Sequence, residues 1–204
     1  LLLMDEPLAS LDLERKLEIM PYIEALNRDL SMPIIYVSHD RDEVAKLADH
    51  LLLMNDGQII SSGGITDILT RVDLPLAQSA EAESIISAKV KDYDPKYQLS
   101  TLESSLGYVL IPGEKLEIGT DVRLRIPAKD VSLTLVHQTG TSILNIFPAT
   151  VEQIVGGKTA QVTVKVSAGD TAILARITRK SADNLNLKPG MKVFAQTKSV
   201  ALLA

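Results

Sequence analysis

The stretch that most narrows what this chain can fold into is its opening, Leu1-Leu2-Leu3-Met4-Asp5-Glu6-Pro7-Leu8-Ala9-Ser10-Leu11-Asp12. A run of large apolar residues, then two acids and a proline, reads as a buried strand that stops in carboxylates. An apolar run without polar alternation suits a parallel-sheet strand covered on both faces. Pro7 ends it, because proline has no N–H to give to a ladder. Acids at the carboxyl edge of such a sheet lie where open α/β folds hold their ligands. Asp5 is short and placed to hold a magnesium ion, directly or through water. Glu6 reaches one bond further and could orient or deprotonate a water that attacks a phosphate. The same residues would also suit an ordinary strand end with solvated acids.

A second apolar strand, Ile34-Ile35-Tyr36-Val37, runs into Ser38-His39-Asp40. Together the two stretches resemble the Walker B strand, D-loop and switch-histidine strand of ATP-binding cassette (ABC) ATPases. The resemblance implies that Asp5 serves Mg²⁺, that Glu6 is the catalytic base and that His39 contacts the γ-phosphate of ATP. It also implies that Ser10 and Asp12 belong to a D-loop that meets a second subunit. No phosphate loop of the form GxxxxGK[ST] is present, nor a signature resembling LSGGQ, nor a glutamine loop. The chain opens inside a strand and without Met, so the expectation is the C-terminal piece of a longer protein, inactive in ATP hydrolysis alone.

Composition removes several other classes. A net charge of -5 with a pI near 5.2 argues against a general nucleic-acid surface. Aromatic residues are only 3% and tryptophan is absent, which disfavours a base-stacking platform. No stretch reads as a signal peptide, and no apolar run approaches the roughly 20 residues that span a bilayer. Any membrane role would therefore run through a partner. The absence of cysteine suits a reducing compartment.

After the opening, Leu13, Leu17, Met20, Ile23 and Leu26 recur at helical spacing, with Pro21 predicting either a kink or the start of a second helix. Ser31-Met32-Pro33 closes this unit. Asp40 can cap a short helix to Asp49. Leu51–Met54 reads as another buried strand, and Asn55-Asp56-Gly57 predicts a hairpin back through Gln58–Ser61. Thr66 to Val72 reads as a short helix with a Thr cap. Residues 1–75 thus form an α/β part that resembles the end of a P-loop ABC ATPase domain, and 76–83 a linker rich in Ala, Ser, Gln and Glu.

From residue 84 to 204 the pattern is all-β, with two sets of five short strands at about 84–137 and 141–204. Ile85–Val90 parallels Ile146–Val151, Gly119–Val122 parallels Gly190–Val193, and Lys129–Val131 parallels Lys198–Val200. The expectation is an internal duplication that builds two OB-like barrels packed together. Thr141-Ser142-Ile143-Leu144-Asn145 opens the second set and is dense in short hydrogen-bond donors. A tetrahedral oxyanion needs such donors and a cation, which Lys198 with Ser199 could supply.

The stretches 124–133, 141–145 and 196–200 resemble the molybdate-binding Mop/TOBE domain carried by ATPase subunits of molybdate importers. Ile19-Met20-Pro21-Tyr22-Ile23-Glu24 resembles the same subfamily's helix. The family's motif often has Arg where this chain has Leu144. The resemblance implies a molybdate or tungstate ligand at Thr141, Ser142, Asn145, Lys198 and Ser199. It implies a homodimer on the cytoplasmic face of the bacterial inner membrane, bound to integral permease subunits and served indirectly by a periplasmic molybdate-binding protein, with no nucleic-acid partner. An importer ATPase for sulfate, iron or a sugar, and a non-catalytic oxyanion-binding protein, are the alternatives.

Overall fold

The computed structural model describes residues 1–30, 32–156 and 160–203. Ser31, expected to help close the first unit, lies outside the described residues. Strand β1 (Leu2–Asp5) pairs in parallel with β2 (Ile34–Val37), with Leu2 opposite Ile34 and Asp5 opposite Val37. Between them helix α1 (Leu13–Leu30) runs unbroken through Pro21, so neither a new helix nor a break occurs there. Of its apolar positions, Met20 and Ile23 are buried, with Leu8, against Met4, Tyr36 and Leu47. Leu13, Leu17 and Leu26 are exposed.

The expected burial of β1 on both faces is not what the structure shows. Met4 and Tyr36 face the helices, whereas Leu3 is 65% exposed and Ile35 47%. The reason is geometric: among the described residues, helix lies against one face of this two-stranded sheet only. The hairpin formed by β3 (His50–Asn55) and β4 (Gln58–Gly64) departs in the same way, with Leu52, Met54, Ile59 and Ile60 exposed. Its turn is as predicted. Asp56 and Gly57 both take positive φ, 49° and 75°, the geometry that matches the right-handed twist of the two strands.

Helix α2 (Arg41–Leu47) starts from Asp40, whose carboxylate accepts from the N–H groups of Asp42 and Glu43. Helix α3 (Ile65–Leu69) begins before Thr66 and has no side-chain cap, because Gly64, which has no side chain, stands at its N-cap. The segment expected as a linker is packed. It forms a single turn, α4 (Pro75–Gln78), with Leu74, Ala77 and Ala82 buried. Thr163 and Arg176 hydrogen-bond the carbonyls of Ala77 and Gln78.

Beyond it lie, among the described residues, ten antiparallel strands: β5 (Glu83–Asp94), β6 (Leu99–Ser104), β7 (Gly107–Pro112), β8 (Asp121–Pro127), β9 (Val131–Thr134), β10 (Asn145–Val155), β11 (Gln161–Ala168), β12 (Thr171–Thr178), β13 (Lys192–Thr197) and β14 (Ala201–Leu203). A short helix, α5 (Arg179–Asn184), joins β12 towards β13. One sheet has the order β14-β8-β5-β6-β7, the other β12-β11-β10-β13-β9. The expectation of two barrels, each built from its own set of strands, is therefore corrected. Each set gives its last strand to the other set's sheet, and the sheets curl as half-barrels over one shared core. Val90, Leu102, Val109, Leu124 and Ile126 from one sheet meet Phe147, Val151, Val164, Val166 and Ile173 from the other.

The two sheets repeat each other in detail. Register shifts fall between Val90 and Asp92 in β5, and between Val151 and Gln153 in β10. Gly119 N–H donates to Val90 O at 2.8 Å, and Gly190 N–H donates to Val151 O at 2.7 Å. Both glycines sit at positive φ, 92° and 87°, where a side chain would be strained. The exchange of β9 and β14 makes a direct prediction. Residues 83–138 expressed alone should show no cooperative thermal transition by circular dichroism, whereas co-refolding with residues 139–204 should restore one. A cooperatively folded monomer of the first piece would refute the exchange.

Candidate functional site

At the carboxyl ends of β1 and β2 the structure brings together the two residues expected to act on phosphate. Glu6 N–H donates to Val37 O at 2.9 Å, and the Glu6 backbone then turns into the left-handed region, φ 48°. That conformation costs a non-glycine residue about 1–3 kcal/mol. It goes with a side chain directed across the strand ends, where Glu6 Oε1 lies 2.6 Å from His39 Nδ1. The imidazole is otherwise open, 84% exposed. The hydrogen bond that His39 donates to Glu6, and then the charge of Glu6, raise the His39 pKa above the ordinary value of 6.5. Asp5 is exposed at the end of β1. Asp12 caps α1, its Oδ1 accepting from Arg15 N–H at 2.9 Å. Ser10 is exposed in the turn before it.

Beneath this pair lies a buried polar cluster that the sequence did not reveal. Glu43 is only 2% exposed. Lys16 Nζ donates to Glu43 Oε1 at 2.7 Å, while Tyr36 and Ser38 donate to Oε2 at 2.9 and 2.7 Å. Lys16 also reaches Asp40 Oδ2 at 2.6 Å. Burial pushes the Glu43 carboxyl up, but the bonds from Lys16, Ser38 and Tyr36 outweigh it and leave its pKa lowered. Asp40 is lowered chiefly by the bond from Lys16, and Lys16 is raised by Asp40 and then Glu43. The only signal in the sequence was the spacing Asp40-Arg41-Asp42-Glu43, which matches a capping box. That pattern would send Glu43 back to Asp40 N–H, yet Ser38 Oγ takes that donor at 3.0 Å.

The second candidate site lies where β10 begins and β13 ends. Asn145 is opposite Thr197, so residues 141–144 and 198–199 leave the same end of one sheet. Thr141 Oγ1 accepts from Ile143 N–H at 3.2 Å, and Thr197 Oγ1 donates to Ser199 O at 2.9 Å, which shapes both turns. Thr141, Ser142, Lys198 and Ser199 are exposed, as is Leu144. Asn145 differs from the expectation of a free donor. It is buried at 5% exposure, its Oδ1 accepting from Leu110 N–H at 2.8 Å and its Nδ2 donating to Leu110 O at 2.9 Å. The carboxamide mimics a neighbouring strand for the edge strand β7, which leaves one N–H for any ligand. In the other sheet the corresponding residue, Ser84, accepts from Leu174 N–H of β12 at 3.0 Å. Among the described residues no three His, Cys, Asp or Glu side chains gather as a metal site.

Residues 141–204 match the model of the TOBE domain. Across 207 residues the chain is 48% identical to the "Molybdenum import ATP-binding protein ModC" of Pseudomonas savastanoi pv. phaseolicola, covering 100% of the chain and 57% of that protein. The likeness to ModC runs the whole length of this chain. It is 46% identical to "Molybdenum import ATP-binding protein ModC 1" of Azotobacter vinelandii, again over 100% of its length and 56% of that ModC. The chain thus spans about 57% of the ModC relatives it matches. Its fold resembles the cytoplasmic molybdate-binding protein ModG with molybdate bound, with a TM-score of 0.52 at 22% identity, over 58% of this chain and 94% of ModG. Among the described residues no helix is long and apolar enough to cross a membrane.

Two measurements test this geometry. Because Glu6 raises the His39 pKa, protonated His39 stabilises the fold fully below about 6.5 and loses that contribution as pH rises through the raised value. The His39 ring signal in a nuclear magnetic resonance titration should therefore have a midpoint above 6.5, and Glu6→Gln should return it to about 6.5. Glu43→Ala should lower the unfolding free energy in urea by about 1–3 kcal/mol, since Tyr36 and Ser38 lose the carboxylate they donate to while Lys16 keeps Asp40. A loss below about 1 kcal/mol would mean the cluster is not held in solution.

Proposed function

We propose that this chain is part of the ATP-hydrolysing subunit of a bacterial molybdate importer, with a C-terminal domain that binds the oxyanion. Identity of 48% to ModC over the whole chain is the observation that carries the reading. In it, residues 1–75 form the end of a P-loop α/β ATPase domain, and residues 84–204 form the oxyanion-binding domain. The exposed apolar faces of β1–β2 and β3–β4 are then covered by the part of the ATPase domain that this chain does not include.

Glu6 would act as general base towards the water that attacks the γ-phosphate of ATP, and His39 would hold that phosphate. The 2.6 Å contact between them supports a shared task, because each orients the other. Asp5, exposed and unshielded, fits a single carboxylate ligand of Mg²⁺, an ion that takes one or two carboxylates and fills its other positions with phosphate and water. Bound there, Mg²⁺ would neutralise charge that develops on the phosphates. Ser10 and Asp12 would face the second subunit of a homodimer, and permease subunits would tie that dimer to the cytoplasmic face of the inner membrane. The periplasmic molybdate-binding protein would be reached only through the permease. Alone, the chain would not hydrolyse ATP, since it supplies no phosphate loop.

Thr141, Ser142, Lys198 and Ser199 would bind molybdate or tungstate, with Asn145 giving its one remaining N–H. The engagement of Asn145 by Leu110, and Leu144 beside it, favour one rival: an importer ATPase for another solute, such as sulfate, iron or a sugar. Calorimetric titration of this chain with molybdate, with sulfate as competitor, separates the two. Sulfate-resistant binding is expected, weakened about tenfold or more in Lys198→Ala, since one bond to a charged group contributes about 1.5–3 kcal/mol. Absence of binding would favour the other importer.

A further inference from the structure

Helix α2 is gripped from both sides. On one side Asp40 and Glu43 bind Lys16, Tyr36 and Ser38, and the helix starts directly after His39 and Asp40. On the other side it meets β8. Arg123 Nη1 donates to Lys46 O at 3.0 Å and to Ala48 O at 2.7 Å, the carbonyls that the last turn of a helix leaves without a partner. Its Nη2 meets the carboxylate of Asp49. Arg125 Nη2 lies 2.7 Å from Asp42 Oδ1, with its Nε 3.0 Å from Glu83 Oε2. Arg41 extends the contact by donating to Glu81 O at 2.9 Å.

The same stretch of β8 is paired on its other edge. Ala201 of β14 lies opposite Arg125, and Leu203 opposite Arg123. Leu203 also packs against the buried cluster of Ala45 from α2 with Ile65, Leu69 and Ile85, which Val44 and Ala48 flank as well. Strand β14 begins two residues after Ser199. A short, continuous series of contacts therefore joins the Lys198–Ser199 turn, β14, β8, α2 and the Glu6–His39 pair.

We propose that Arg123 and Arg125 are positioning residues for the Glu6–His39 pair, acting through α2, and that β14 extends this joint to the Lys198–Ser199 turn. The first half of the proposal needs only the contacts of β8 with α2. The second half rests on the oxyanion reading given above. Neither arginine touches the reacting atoms. Their part is to hold the helix that carries His39 at its start, so that Glu6 and His39 keep the separation at which they can meet one phosphate. Two guanidinium groups are suited to that task, because Arg123 presents several fixed donors at once, Arg125 holds Asp42 as an ion pair, and both stay charged at every working pH.

The test uses the full 204-residue chain, labelled for nuclear magnetic resonance at one fixed pH. In Arg123→Gln/Arg125→Gln the His39 ring signal should move towards its position in Glu6→Gln, and amides 44–48 should exchange about tenfold faster, as expected for lost hydrogen bonds to charged groups. Signals of His50 and His137 should stay in place, which separates loss of position from general unfolding. Arg123→Lys, which keeps the charge but not the fork, should move His39 part of the way, and it replaces the double variant if that one does not fold. An unmoved His39 signal in a folded variant overturns the proposal. Added molybdate should shift His39 in the unaltered chain and not in the double variant. Shifts at Lys198 and Ser199 without one at His39 would overturn the extension through β14. If molybdate moves nothing while the arginine variants still move His39, the oxyanion reading fails and the arginine joint stands.

Discussion

A carboxylate removed from water is stable only when charge and hydrogen bonds replace the water, and Glu43 is where this chain meets that demand. Desolvation of a single ion costs several kcal/mol, and an ion pair alone does not reliably offset it. Here three side chains from three elements converge on one carboxyl group: Lys16 from α1, Tyr36 from β2 and Ser38 from the turn after it. The consequence is positional. With Glu43 satisfied, α2 has one seat against β2, and His39 at the entry to that helix faces Glu6 rather than solvent alone. Arg123 and Arg125 approach the same helix from the far side, so the small N-terminal sheet and the large β sheets are joined through seven residues of helix.

How much of this was legible in the sequence depended on whether the information was local. Strand ends, the Asn55-Asp56-Gly57 turn, the Asp40 cap and the order of short β strands are set by neighbouring residues, and the structure has them. The meeting of Glu6 with His39 is not local, and follows only once two parallel strands stop at the same level. Burial was misjudged wherever a second layer was assumed: Leu3 and Ile35 have the composition of core residues and lie exposed. The stretch from Leu74 to Ala82 has linker composition, yet its small side chains let β11 and β12 approach closely enough for Thr163 and Arg176 to bind its carbonyls. Composition could not show that fit.

Asn145 shows the same limit on the side of chemistry. In sequence it is one donor among several in a polar turn; in space its carboxamide serves as an extra strand for Leu110. The clue was present in the repeat, since Ser84 occupies the matching place and grips Leu174 of the opposite sheet in the same manner. A pair of matched positions that each hold the partner sheet reads as architecture first. In the proposed reading, recognition of an anion then falls to the exposed Thr141, Ser142, Lys198 and Ser199.

The exchanged strands also set an order of events during synthesis. A ribosome delivers β5 to β8 well before β14, so the first sheet waits with the edge of β8 bare until β14 emerges. Contacts between segments so distant in sequence form slowly, because the loop must close before the contact stabilises it. During that interval Leu124 and Ile126 have no completed core above them, and the open edge of β8 is a template for any other nascent strand. The arrangement that ties the two halves into one core therefore places the period of greatest aggregation risk between the emergence of β8 and the arrival of β14, when many copies on one messenger lie close together.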